Sequence, residues 1–187
     1  MNKNHHKIEI EFRSRFKKRK YNELKKILDL HARDLGEDNK DVYFFILPDK
    51  LLKVVDNISK KTAQIVLKLN KIGKDSDFEE IEIPIVQKFV NQAVKIFKLL
   101  EITDNIIRSF QNRHNYFYKG VNVALKYSDE WGYHLEFDVV VNSKNKKTAV
   151  EKRIKKIANE LRVKLMTNKE LAEFTRKAEA RYKKKQN

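Results

Sequence analysis

The chain has 187 residues, with 42 lysines and arginines against 26 aspartates and glutamates, so that its formal net charge is +16. It contains no cysteine, only four glycines, and 41% hydrophobic residues. This composition excludes disulfides, zinc–thiolate sites and glycine-rich nucleotide loops, and it predicts one folded domain over residues 1–187 with a basic tail from about residue 181.

The first half of the chain is predicted to be rich in strands. Alternating apolar and charged residues predict a strand over 7–16. Leucine and isoleucine at helical spacing predict a helix over 21–35, with Gly36 as its stop signal. Aromatic and β-branched residues predict four further strands, over 41–47, 51–55, 62–70 and 78–85.

The second half combines strands with three helices. An amphipathic pattern predicts a helix over 86–100. Strands are predicted over 106–110, 113–118, 121–127 and 133–141, and helices over 149–161 and 168–182. Thr167 and Glu170 form a capping box before the last helix. About eight strands in runs, joined by short links and accompanied by about four helices, predict an α+β fold with an antiparallel sheet.

Three strands each carry two carboxylates on one face, opposite an apolar face. The pairs are Glu9 with Glu11, Glu80 with Glu82, and Glu136 with Asp138. One interpretation is a sheet with a solvated polar face. The other is a closed barrel in which the acids converge with Arg13, Lys53, Lys68 and Arg113. Such an interior would attract Mg²⁺ or Mn²⁺ through its carboxylates and phosphate through its cations.

These residues also carry a resemblance to a known family. The sequence Glu9-x-Glu11-x-Arg13 resembles the E-x-E-x-K signature of the CYTH superfamily, the triphosphate tunnel metalloenzymes. Later segments of the chain resemble the later motifs of that family, in the same order. These segments are DVYFFILPD (41–49), LLKV with Lys53, IVLKLN with Lys68, EEIEI (79–83), RHNY (113–116) and GYHLEFD (132–138).

The resemblance implies an eight-stranded antiparallel β-barrel that binds a triphosphate in its interior. It implies metal ligands at Glu9, Glu11, Glu136 and Asp138. It implies phosphate-binding cations at Arg13, Lys53, Lys68 and Arg113. Glu80 and Glu82 match a middle acidic pair that serves a metal or orients water, and they are the catalytic candidates.

Four positions depart from the family pattern. Val55, Phe78 and Gln111 stand where cations are expected, and Lys126 replaces an aspartate. The acidic set is nearly intact, so metal binding is better supported by the sequence than strong triphosphate affinity. Reduced, shifted or lost activity is an open alternative.

The expected function is hydrolysis of inorganic triphosphate, a nucleoside triphosphate or thiamine triphosphate with Mg²⁺ or Mn²⁺. One alternative is a class IV adenylyl cyclase that makes cyclic AMP from ATP. The other is a non-catalytic module that binds polyphosphate or nucleic acid.

The expected partner is a triphosphate-containing small molecule. The positive charge makes nucleic acid a secondary candidate, and a homodimer is also left open. No apolar run of about 18 residues exists, so no membrane partner is expected. A charged N-terminus and the absence of cysteine predict a cytoplasmic protein.

Overall fold

The computed structural model describes residues 8–69 and 77–186. The strands are β1 (Ile8–Arg15), β2 (Arg33–Glu37), β3 (Lys40–Ile46), β4 (Leu51–Asn57), β5 (Thr62–Lys68), β6 (Asp77–Ile85), β7 (Ile106–Tyr118), β8 (Val121–Ser128) and β9 (Gly132–Val141). The helices are α1 (Lys18–His31), α2 (Val90–Leu99), α3 (Lys147–Glu160) and α4 (Asn168–Gln186). Within the described ranges, no helix is long and apolar enough to cross a bilayer.

Eight of the strands close into an antiparallel barrel. They follow one another in the order β3-β4-β5-β6-β1-β9-β8-β7, and β7 then returns to β3. The first half of β7 pairs with β3, and its second half pairs with β8. The ninth strand, β2, pairs with β7 beside β3. The predicted α+β fold with an eight-stranded antiparallel barrel is confirmed.

The main hydrophobic core lies outside the barrel, between its outer wall and two helices. Outward residues of the wall, such as Ile10 and Phe137, are fully buried against α1 and α3. Leu24 and Leu28 of α1 are also fully buried, and burial of each such side chain stabilises the fold by about 2 kcal/mol. The apolar stripes of the helices thus cover the apolar face of the strands, and the charged strand face is left for the interior.

A second core attaches α2 to the opposite side of the barrel. Phe45 and Val54 of the wall pack against Val90 and Val94 of the helix. Phe97 completes the contact, with its ring centre 5.5 Å from that of Phe45 in an edge-to-face arrangement. The barrel is therefore covered by helices on two sides.

The predicted helix over 21–35 is wrong at its C-terminal end. Helix α1 ends at His31, and Arg33–Glu37 form β2 instead. Gly36 has a φ angle of +81° and lies at a register shift between β2 and β7, where the Asp34 carboxylate accepts a hydrogen bond from its N–H at 2.7 Å. A glycine with positive φ serves a strand irregularity as well as a helix end.

Two further boundaries differ from the prediction. The strands expected at 106–110 and 113–118 are the single strand β7, because Gln111 and Asn112 continue the extended backbone without glycine or proline. The capping box before α4 is confirmed, since Thr167 and Glu170 exchange hydrogen bonds of 2.8 and 3.2 Å. The second boundary that differs is the end of α4, which continues to Gln186 and not only to the predicted residue 182.

Candidate active site

A cavity of about 500 Å³ occupies the barrel interior. Because side chains alternate across a strand, one face of each strand points into the barrel. Nine of the ten predicted site residues line the cavity: Glu9, Glu11, Arg13, Lys53, Lys68, Glu80, Glu82, Arg113 and Glu136. Three of the positions that depart from the family pattern, Val55, Gln111 and Lys126, line it too. The side chain of Phe78 lies outside the described part of the structure.

One cluster of charges in the cavity is centred on Lys68. Its ammonium lies 3.3 Å from a carboxylate oxygen of Glu9 and 3.4 Å from one of Glu11, and it also pairs with Glu80. These residues come from β1, β5 and β6, which are neighbours in the barrel. Burial acts to lower the pKa of Lys68, but the three carboxylates outweigh it and raise that pKa above its ordinary value. Lys68 therefore stays charged.

A second cluster is centred on Glu136 of β9. Its carboxylate accepts hydrogen bonds from Arg13 at 3.1 Å, Arg113 at 3.2 Å and Lys126 at 3.3 Å. Arg13 lies directly opposite Glu136 in the β1–β9 ladder, so register alone brings these two together. Burial acts to raise the pKa of Glu136, but the cations, Lys126 first, hold that pKa well below its usual range.

Three groups in the cavity have pKa values near neutrality. Burial, with a smaller contribution from Glu11, outweighs the attraction of Lys68 and raises the pKa of Glu9 to about 8. Burial lowers the pKa of Lys53 to about 8, helped by the charge of Lys68. Burial also lowers the pKa of Lys126 to about 8. Near neutral pH, Glu9 is therefore largely protonated while most of the lysines remain charged, so the interior favours an anion.

Arg13 offers an unused donor to such an anion. Its guanidinium pairs with Glu11 and Glu136 and lies 5.2 Å from the centre of the Trp131 ring. One terminal nitrogen, Nη1, is buried and has no hydrogen-bond partner among the described residues. A buried donor without a partner is costly, and a phosphate oxygen would satisfy it.

Two of the predicted acidic site residues lie apart from these clusters. Asp138 does not line the cavity, and it accepts a hydrogen bond from Asn122 at 2.8 Å. Glu82 is exposed at the cavity surface, where Gln64 donates to its carboxylate at 3.3 Å. The middle acidic pair is therefore divided, since Glu80 joins the Lys68 cluster and Glu82 does not.

The carboxylates fit a metal only in part. Among the described residues, no group of three or more histidine or carboxylate side chains has the geometry of a metal site. Glu9, Glu11 and Glu80 do converge on one point, but the Lys68 ammonium occupies it. These three acids can hold a divalent cation if Lys68 moves away, whereas Glu136 is already bound to three cations and Asp138 faces Asn122.

Asp38 is a functional candidate that the sequence analysis missed. It is buried, and its carboxylate lies 3.0 Å from Lys40, 3.1 Å from Lys60 and 3.3 Å from Arg113. Burial is outweighed by Lys40 and its other donors, so its pKa lies below the usual range. Asp38 shares Arg113 with Glu136 and thereby orients it. It lies in the short link between β2 and β3, where no alternating pattern distinguishes it from its neighbours.

Helix α4 also contributes to the cavity in a way that the sequence did not reveal. Arg176 and Glu179 line it, together with smaller residues of the same helix. The helix is attached to the barrel through Phe174, whose ring contacts Trp131 at 5.0 Å and the Arg15 guanidinium at 3.6 Å. Farther along, the Tyr182 hydroxyl accepts a hydrogen bond from the Arg108 N–H at 3.0 Å.

No protein-family model and no curated protein sequence matches this chain. The solved structure of the PH1012 protein from Pyrococcus horikoshii is similar, with 26% identity, a TM-score of 0.68, and coverage of 83% of this chain and 91% of that chain. A protein from Vibrio parahaemolyticus that is provisionally named an adenylate cyclase is 14% identical, with a TM-score of 0.64 and coverage of 88% and 92%.

HpAC1 from Hippeastrum is similar as well. It is provisionally named an adenylyl cyclase and has a dominant triphosphatase activity. It is 15% identical to this chain, with a TM-score of 0.60 and coverage of 85% of this chain and 89% of that chain. These likenesses show a shared fold. The chain has the tunnel fold that its motifs predicted, in common with proteins that are named adenylyl cyclases.

Proposed function

We propose that the tunnel binds the triphosphate group of a small molecule and hydrolyses its terminal phosphate with the help of Mg²⁺ or Mn²⁺. The observation that carries this proposal is the buried, unpartnered donor of Arg13 beside Arg113 and Lys126 inside the cavity. The fold that the chain shares with a triphosphatase supports it. Membership of the CYTH superfamily is part of the same proposal.

The side chains divide into two roles. Arg13, Arg113 and Lys126 bind phosphate oxygens, and Glu136 holds these three cations in place. Electrostatic stabilisation by fixed cations is the largest contribution that such a site makes to phosphoryl transfer.

Lys68 and its acids form the other half of the site. When Lys68 turns from Glu9 and Glu11 to a phosphate oxygen, those two carboxylates and Glu80 become free to hold the metal. A bound divalent cation neutralises charge that develops on the phosphate oxygens. Glu82 lies at the surface of the cavity, where it can orient a water molecule.

Turnover is measured with inorganic triphosphate, ATP, GTP and thiamine triphosphate, each with Mg²⁺, Mn²⁺ or EDTA, and phosphate, pyrophosphate and cyclic AMP are quantified. We expect phosphate release that requires metal. Glu9→Gln should reduce kcat at least about 100-fold, because a metal ligand acts mainly in the transition state. Glu173→Gln removes an exposed carboxylate of α4 that pairs with Lys177, and it should leave kcat unchanged.

The same panel separates the alternatives. Cyclic AMP and pyrophosphate from ATP would replace the hydrolase with a cyclase that uses the same cations. Tight triphosphate binding without turnover in either Mg²⁺ or Mn²⁺ would identify a binding module. The binding module is favoured by one specific observation, which is that the Lys68 ammonium occupies the point where the acids converge.

A further inference from the structure

A second cavity, of about 350 Å³, lies outside the barrel, between α1 and the outer face of β7, β8 and β9. We call it the tyrosine groove. Helix α1 forms one wall through Lys18, Tyr21, Asn22 and Lys25. Spacings of three and four residues place these side chains on one face of the helix. A cavity of this size is at the lower end of the range for small-molecule sites.

The tyrosine groove and the tunnel lie on opposite faces of the barrel wall and share one lining residue, Arg113. Tyr127 of β8 and Tyr133 of β9 lie opposite each other in the ladder and line the groove. Their chain neighbours Lys126 and His134 line the tunnel. Successive residues of a strand point to opposite faces, so the wall of the barrel lies between the two cavities.

Three tyrosines form an aromatic surface in the groove. The ring centres of Tyr21 and Tyr133 are 5.1 Å apart, and those of Tyr127 and Tyr133 are 4.6 Å apart. All three side chains are half-buried, so part of each ring remains accessible. Partly open aromatic rings on a protein surface are stacking platforms for nucleobases.

Polar groups around the tyrosines are unused. The amides of Asn22 and Asn112 are exposed and have no hydrogen-bond partner in the part of the chain that the structure describes. Asn112 lies directly opposite Tyr127 in the β7–β8 ladder. A side-chain amide carries both donors and an acceptor, as recognition of a base edge requires.

Charge in the groove favours a phosphate near the N-terminus of α1. Lys18 has no ion-pair partner among the described residues, whereas Lys25 is 3.0 Å from Asp29. Among the described residues, Glu37 is the one carboxylate that lines the groove, and it accepts a hydrogen bond from Asn39 at 3.3 Å. Lys18 also belongs to the basic run 17–20, in a chain whose formal net charge is +16.

We infer that the tyrosine groove binds one nucleotide of a single-stranded nucleic acid, with its base against the tyrosines and its phosphate beside Lys18. The strand must be single because bases in a duplex are stacked on each other and cannot enter. A strand is favoured over a free nucleotide because each added phosphate gains from the positive surface. This inference does not depend on the reaction proposed for the tunnel.

The aromatic part is tested by fluorescence anisotropy with a short, unstructured, labelled RNA and with its DNA counterpart. Tyr127→Leu should weaken binding about tenfold, because stacking of a base on an aromatic ring is lost. Tyr127→Phe keeps the ring and should bind as tightly as the wild type. Wild-type affinity of Tyr127→Leu, or no binding by the wild type, would overturn the inference.

The charged part is tested with a pair of variants that change net charge equally. Lys18→Gln should reduce the slope of log K against log salt by about 0.7, the value for one phosphate contact with a single strand. Lys26→Gln, on the same helix but outside the groove, should leave the slope unchanged. Equal effects of the two variants would mean diffuse surface binding and would contradict a site in the groove.

Two further measurements test where the ligand binds and whether it is a strand or a free nucleotide. Ultraviolet cross-linking followed by mass spectrometry should give adducts on peptides that contain Tyr21, Tyr127 or Tyr133, and adducts confined to other peptides would refute the site. AMP should compete with the labelled strand only weakly. If AMP competes at the same concentration as the unlabelled strand, the groove is a mononucleotide site, and the inference that it binds a strand is overturned.

Discussion

Glu136 shows how a charged side chain remains ionised inside this barrel. Removing a carboxylate from water is unfavourable, and water is replaced here by Arg13, Arg113 and Lys126 within hydrogen-bonding distance. Arg13 and Lys126 are buried as well, Arg113 is half-buried, and all three depend on the carboxylate in return. Such a group acts as a unit, so a substitution at one member alters the charge state and orientation of the others.

His134 provides a pH-dependent prediction at the same scale. Burial lowers the pKa of His134 to about 3, and its ring hydrogen-bonds the Gly132 carbonyl oxygen at 2.9 Å. The unfolded chain binds a proton at this residue below about pH 6.5 and the folded chain does not, so folding stability falls as pH falls from 6.5 towards 3. Between pH 6.5 and 5 this loss is about 2 kcal/mol.

The measurement must allow for Glu9, whose raised pKa has the opposite effect. Because the folded state keeps that proton up to about pH 8, lowering the pH from 8 to 4.5 stabilises the fold. The comparison is therefore between urea unfolding of the wild type and of His134→Asn at several pH values. The difference between the two should change by about 2 kcal/mol in favour of the variant from pH 6.5 to 5. A pH-independent difference would contradict the buried neutral imidazole.

At the scale of elements, β7 connects the two candidate sites. Its 13 residues close the barrel by pairing first with β3 and then with β8. Gln111 faces the tunnel, Asn112 and His114 face the tyrosine groove, and Arg113 lines both cavities. Consecutive residues of one strand thus serve opposite sides of the same wall, and a shift of register by one residue would exchange them.

Helix α4 leads to a prediction about its attachment. Phe174 is largely buried between Trp131 and the Arg15 guanidinium. Phe174→Ala should destabilise the docked helix by about 3 kcal/mol, because a buried aromatic ring is removed. Trp131 is the single tryptophan of the chain, so tryptophan fluorescence reports on the surroundings of this one ring. We expect a red shift of emission with the strand signal in circular dichroism retained.

Phe110→Ala is the matched control for this experiment, because it removes a phenylalanine ring of β7 that is 51% exposed. It should leave the emission maximum where it is in the wild type. An unchanged maximum in Phe174→Ala as well would show that the ring does not shield Trp131 and would refute the attachment.

At the scale of the whole molecule, the barrel holds its buried charges inside and its main hydrophobic cores outside. Apolar faces of the strands pack against α1, α2 and α3, and the cavity is enclosed by charged residues together with apolar ones such as Val42 and Val55. The interior can therefore keep many charges without loss of the hydrophobic core, because that core lies elsewhere. Three interior groups titrate near pH 8, which links the charge of the cavity to pH.

An anion in the tunnel should therefore bind with uptake of protons. Triphosphate favours the charged forms of Lys53 and Lys126 and the neutral form of Glu9, so all three retain or gain protons when it binds. Calorimetry at pH 8 in EDTA, in two buffers of different ionisation enthalpy, should give an uptake of about one proton. Affinity should fall as the pH rises above 8, because all three groups then lose their protons.

The controls for this measurement distinguish an anion from a metal. Lys126→Gln should reduce the uptake, while Lys119→Gln, an exposed lysine paired with Glu160, should not. With Mn²⁺ present the uptake should become smaller, because Glu9 must lose its proton to bind a metal. Proton release in EDTA would contradict the assignment of these groups to the phosphate site.

Much of this architecture was predictable from the sequence. The alternation of Glu9 and Glu11 with Ile8 and Ile10 determines the two faces of β1, because successive side chains on a strand point in opposite directions. The same local rule predicted the inward faces of β5, β6 and β9. Nine of the ten predicted site residues line one cavity, as expected if these inward faces converge.

The neighbours of each charge were not predictable in this way. Lys68 meets Glu9 and Glu11 across 59 and 57 positions of the chain, and Arg13 meets Glu136 across 123. Alternation says which face a residue occupies, but the order of strands around the barrel and their register decide which residues meet. Those depend on pairing between distant segments, which leaves no periodic signal in either segment.

The sequence alone therefore determined the strands and their charged faces, because these follow from residue type and local period. Local period left an open sheet and a closed barrel equally possible, and only the resemblance of the motifs implied that the barrel closes. Only the tertiary structure decided that Lys68 occupies the point where the acids converge, that Asp138 faces Asn122, and that three tyrosines meet under α1. Each of these depends on the pairing and packing of segments that are distant in the chain.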